Sequence, residues 1–113
     1  MIRTACAVVV TLGLMAGVAA AQTPADVERG KKVFAAEKCG VCHSVAGTGN
    51  KKGPLDEAGT KLTAAEIREW IVNAPAMTAK TQAPRKPVMK AYPNIVKVDL
   101  DALVNYLHSL KKS

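Results

Sequence analysis

Aromatic side chains are scarce in this chain: one Phe, one Trp and two Tyr among 113 residues. So few rings can build only a modest hydrophobic core. Three cysteines exclude a disulfide-dense scaffold. With two histidines, a zinc site would have to be drawn from Cys39, Cys42, His43 and His108, and adjacent Cys42 and His43 fit one tetrahedral ion poorly. Acids are short as well, 9 Asp+Glu against 16 Lys+Arg, for a formal charge of +7. The basic excess is not interleaved with aromatics and carries no nucleic-acid recognition motif, so nucleic acid is not an expected partner. No uncharged apolar run reaches the roughly 20 residues of a membrane span, and there is no internal repeat, low-complexity tract or domain linker.

Residues 4–21, all uncharged, follow Met1-Ile2-Arg3 and end in Ala19-Ala20-Ala21. A single positive charge, a short apolar run and small residues at its end read as a secretory signal peptide cleaved after Ala21. The alternative is an uncleaved N-terminal anchor. Cys6 precedes the apolar run, the wrong side for a lipid anchor. Cleavage would leave residues 22–113, 92 residues with 15 basic and 9 acidic side chains, a charge of +6. Only Cys39 and Cys42 remain, enough for one very short disulfide loop. An exported chain of this size with so few rings calls for a bound group to complete its core.

Those two cysteines stand in Cys39-Gly40-Val41-Cys42-His43, the attachment sequence of a c-type haem. Two thiols separated by a two-residue spacer can add to the two vinyl groups along one edge of the ring, and the histidine that follows is placed beneath the iron. A thioredoxin-like redox pair would need a strand before Cys39, and the flanks read helical.

Residues 24–38 show a helical recurrence of Val27, Gly30, Val33 and Phe34, with Asp26 or a neighbour at its start. Glycine inside a helix costs about 1 kcal/mol relative to alanine, so Gly30 predicts a second helix crossing closely there. Residues 44–61, rich in glycine, read as loop. Thr63-Ala64-Ala65-Glu66 matches a capping box opening a helix that Pro75 closes. Residues 76–93 read as irregular, carrying Met77, Met89 and three prolines. A last helix, with Asp99 as its cap, presents Leu100, Leu103, Val104, Tyr106, Leu107 and Leu110 on one broad apolar face.

This succession over residues 26–112 resembles a bacterial class I cytochrome c. The resemblance implies an all-α fold of three to four helices wrapped around one covalently attached haem, in a cytochrome c domain at residues 22–113. It implies that Gly30 and Phe34 of the first helix meet Tyr106 and Leu107 of the last, and that the Pro54 carbonyl accepts the other ring N–H of His43. Met89 is then the distal iron ligand, with Met77 and His108 as lesser alternatives. Such an iron has no open position, which implies an electron carrier and not an enzyme, while the signal peptide implies a periplasmic location and a monomer is expected. The carrier would pass single electrons between a dehydrogenase or quinol-oxidising complex and a terminal oxidase or other acceptor. Lys38, Lys51, Lys52, Lys86 and Lys90 are the expected docking cations for acidic-faced redox partners, the other reading being that lysines serve solubility. Two alternatives stay open: a haem enzyme or gas-binding sensor with an open distal site, and a dedicated cytochrome subunit of a larger oxidoreductase.

Overall fold

In the computed structural model, which describes Gly13 and residues 23–112, helix α1 spans Pro24–Ala36. The expected signal segment, its cleavage after Ala21 and Cys6 lie outside the described residues, Gly13 apart. Thr23, not Asp26, caps α1, its hydroxyl accepting the Asp26 N–H at 3.2 Å, and Pro24 opens the first turn where no N–H is needed. The helix ends as Lys38 turns left-handed at φ 57°, which swings the chain into a 3-10 turn at Cys39–Val41.

The stretch expected as plain loop holds a small hairpin, β1 (Ser44–Val45) paired antiparallel with β2 (Thr48–Gly49). Ala46 and Gly47, at φ 49° and 79°, form the two-residue connection that strand twist favours. Two residues per strand are too few for an alternating pattern to be seen in sequence. A one-turn helix, α2 (Ala58–Lys61), follows.

Helix α3, Ala64–Val72, starts with the expected capping box, Thr63 accepting from Glu66 N–H at 3.1 Å while Glu66 accepts from Thr63 N–H at 3.0 Å. Pro75 does not end the order there. It sits in the first turn of a further helix, α4 (Ala74–Thr81), because a proline lacks only an N–H that the first turn leaves unbonded anyway. Residues 76–81, expected irregular, are therefore helical.

Helix α5, Lys97–His108, is capped by the backbone at Val96 and not by Asp99. Asp99 lies in its first turn, where the helix dipole favours an anion, and pairs with Arg29 of α1 at 2.8 Å. The described chain thus has five α-helical segments, one a single turn, in place of the three to four expected.

Helices α1 and α5 cross where Gly30 has no side chain. A Cβ on Gly30 would stand 2.2 Å from the Ala102 carbonyl oxygen and 2.4 Å from Tyr106 Cβ, so only glycine allows this approach. One turn on, Phe34 and Tyr106 meet edge to face, centroids 5.8 Å apart and planes at 83°. Val33, Ile67, Ile71, Leu100, Leu103, Val104, Tyr106 and Leu107 form one buried cluster from α1, α3 and α5.

Candidate functional site

The cluster does not close on itself. It forms one wall of a cavity of about 590 Å³, within the size range of small-molecule and cofactor sites. Leu55, Leu62, Ile67, Trp70, Ile71, Leu103 and Leu107 line it with apolar surface, and Cys39, Cys42, His43 and Met89 line it with sulfur and imidazole. Four residues from two distant stretches of sequence therefore face one cavity. Met77 is not on its wall: it is buried under α4, 8% exposed, where it fills core. His108 is also absent from the lining and ends α5, its carbonyl oxygen packed against Gly59.

The segment around His43 is built by backbone hydrogen bonds. The His43 N–H donates to the Cys39 carbonyl at 3.0 Å, closing the turn that carries both thiols. Asn50 N–H donates to the carbonyls of Gly40 and His43, each at 3.0 Å, and its side-chain amide donates to the Val41 carbonyl at 3.1 Å. Gly49, at φ 104°, lies so close to this turn that a Cβ would be 2.2 Å from the His43 oxygen.

The His43 ring lies 3.1 Å, Nδ1 to oxygen, from the carbonyl of Gly53, not of Pro54. Residue 54 pairs in parallel with Ser44, so that Ser44 N–H donates to the Gly53 carbonyl and Leu55 N–H to the Ser44 carbonyl. In that pairing Gly53 and Leu55 supply the bonding groups, and the Gly53 oxygen is the one turned towards residues 43–44. With a proton on Nδ1 donated to this oxygen, Nε2 keeps its lone pair. Burial holds His43 below the usual imidazole range, the Gly53 bond opposes this, and the charge of Arg85 adds to the lowering. A neutral ring is the state a metal ligand needs.

Cys39 and Cys42 are free thiols. Burial pushes the Cys39 thiol up to about 11, with the Glu37 carboxylate adding to the rise. That is opposite to the lowered thiol of an exchange-active cysteine pair. The expected docking lysines are all exposed and outside the ion pairs among the described residues. Lys38 and Lys90 border the cavity, Lys90 standing 5.0 Å from the centre of the Tyr92 ring, while Lys51, Lys52 and Lys86 do not line it.

Gly53, Asn50 and Arg85 have structural parts in this site that sequence reasoning missed. Asn50 and Gly53 carry ordinary turn signals, and nothing in the chain's pattern points from Arg85 to residue 53.

A small helical protein with paired thiols, a neutral imidazole and a thioether around one apolar cavity is built to hold a large flat metal-bearing ring. The family model for cytochrome c matches residues 27–111, and the chain belongs to that family. Membership brings covalently bound haem c with its iron and a role in electron transfer. The donors present fit that group: two reduced thiols one short turn apart, an imidazole with a free lone pair, a thioether and an apolar wall.

The chain is also 34% identical over 86 residues to a cytochrome c oxidase subunit 2 from Alkalihalophilus pseudofirmus (strain ATCC BAA-2126 / JCM 17055 / OF4). That match covers 74% of this chain and 25% of the relative, so the chain spans about a quarter of that protein's length. No solved structure matches it.

Proposed function

We propose that this protein is a single-electron carrier in which Cys39 and Cys42 would hold one haem through thioether links, and His43 and Met89 would ligate its iron. The observation that carries this reading is the convergence of these four residues on one apolar cavity, from which Met77 and His108 are absent. When bound, the haem supplies an iron that gains and loses one electron. The protein's own residues set the terms of that exchange. The Gly53 carbonyl orients His43 and keeps its proton on Nδ1. The Met89 thioether favours the reduced iron over the oxidised one. Leu55, Ile67, Trp70 and Leu103 exclude water from the cavity, which disfavours the extra positive charge of the oxidised state. With His43 and Met89 both holding the iron, no site would be left for a substrate, which supports a carrier over an enzyme.

Export after cleavage at Ala21, and hence a periplasmic location, belongs to the same reading. Among the described residues no helix is long and apolar enough to cross a membrane. The exposed, unpaired lysines 38, 51, 52, 86 and 90 support docking of acidic-faced redox partners. On that account the second-order rate with such a partner falls steeply as salt rises, and a flat response assigns the lysines to solubility. A second reading, a cytochrome subunit of an oxidase, is favoured by the similarity to an oxidase subunit 2. Stable stoichiometric co-purification with other subunits would select it.

The deciding experiment is the visible spectrum of the purified protein, oxidised and reduced, with and without carbon monoxide. A low-spin spectrum with the weak far-red thioether-to-iron band and no carbon monoxide response is the expected result. A prompt carbon monoxide shift would place it among open-site haem proteins instead.

A further inference from the structure

His43 and Met89 reach the cavity from different parts of the chain, and one side chain joins their surroundings. Arg85 precedes Met89 by four residues, is partly buried and lines the cavity. Its guanidinium lies across Gly53: a Cβ built there would stand 2.0 Å from an Arg85 terminal nitrogen and 2.4 Å from the Cys42 carbonyl oxygen. The bare Cα of Gly53 is what lets the guanidinium sit there, and the carbonyl of the same residue accepts the ring proton of His43.

Arg85 forms no ion pair among the described residues. A loop arginine is otherwise free to turn into water, and this one is held against Gly53. That position puts a permanent positive charge beside the residue whose carbonyl bonds the imidazole.

Building on the electron-carrier reading above, we propose that Arg85 is a positioning residue that braces the Met89 segment against the Gly53–His43 bond, and that its charge biases the bound iron towards its reduced state. The oxidised centre carries one more positive charge than the reduced one, and a nearby guanidinium repels that charge through a medium of low dielectric. The contact also gives the Met89 segment a fixed point on the far side of the ring site. Arginine suits both tasks, since its planar fork lies flat on a peptide and keeps its charge at any working pH.

The test compares the holoprotein with its Arg85→Gln and Arg85→Lys variants. The readouts are reduction potential by redox titration and loss of the far-red thioether band under rising denaturant. Arg85→Gln is expected to shift the potential downwards and to lose the band at lower denaturant than the parent. Arg85→Lys, which keeps the charge without the fork, is expected to restore the potential while the band stays labile. An arginine that only packs would move the band in both variants and the potential in neither. A parent-like potential in Arg85→Gln therefore overturns the proposal even where the parent shows His/Met ligation. A parent protein without covalent haem overturns the carrier reading and this inference together.

Discussion

The two sides of the cavity are built by different means. Residues 39–55 are tied by repeated backbone bonds, from His43 N–H on Cys39 to Leu55 N–H on Ser44. Residues 84–91, which carry Met89, donate no such backbone bond among the described residues, and the next is Tyr92 N–H to the Ile71 carbonyl at 2.8 Å. Pro84 and Pro87 have no N–H to give. His43 is thus presented by a structured turn and Met89 by a strap pinned near its ends, at Arg85 and Tyr92. Open backbone with few hydrogen bonds is where local opening is least costly. The histidine side is therefore built for permanence, and the methionine side is where the site is most easily opened.

The strongest test of that contrast removes each side in turn. Cys39→Ser with Cys42→Ser should abolish covalent haem and most of the folded yield, because the cavity it would fill adjoins the core of a small protein. Haem staining and circular dichroism check this, and a well-folded protein without haem would break the account. Met89→Ala should keep covalent haem and fold, lower the potential and admit carbon monoxide. Loss of fold as complete as in the cysteine variant would erase the contrast.

Met77→Ala is the matched control. It should leave potential and carbon monoxide response unchanged while costing about 2–5 kcal/mol of stability, as truncation of a buried methionine does. On the histidine side, Gly49→Ala adds a side chain at φ 104° and against the His43 oxygen. Denaturant unfolding should show a loss of about 1–3 kcal/mol. An unchanged midpoint would mean that this turn tolerates displacement.

The smallest effect belongs to Asp101, where Lys97 of its own helix and Arg68 of α3 hold the carboxyl below the usual range. Its folded value lies below its unfolded one. Its contribution is therefore fully present above about pH 4, the unfolded value, and is lost as pH falls through the lowered folded value. Asp101→Asn should flatten that part of the stability profile and cost about 0.2–1 kcal/mol at neutral pH, since Lys97 is exposed and Arg68 and Asp101 are only half-buried. A profile identical to the parent's in acid would remove the ion pair from the account.

Much of this was legible from local pattern. The thiol pair and His43 are contiguous, so their chemistry is written in five residues. Gly30 announced a close helix crossing because a helix tolerates glycine badly without a packing reason, and the capping box at Thr63 is wholly local. The misreadings share one cause. Pro75 has the local look of a stop because a proline is excluded from the middle of a helix, yet it also opens one. Asp99 has the chemistry of a cap and is used instead by Arg29, 70 residues away. Pro54 was expected to orient His43, and the carbonyl one residue earlier does so, because parallel pairing with Ser44 decides which oxygen faces inward.

The sequence by itself determined what is covalent or local: the two thiols, the histidine beside them, the capping box that starts α3 and the glycine that must be crossed. Tertiary structure alone decided which carbonyl holds the imidazole and that Arg85 lies across Gly53, whereas the order of elements already favours Met89 over Met77. The physical reason is range. Propensity and capping act over a few residues along the chain, whereas burial, hydrogen-bond direction and charge depend on what folding brings near, and the chain's order does not record that.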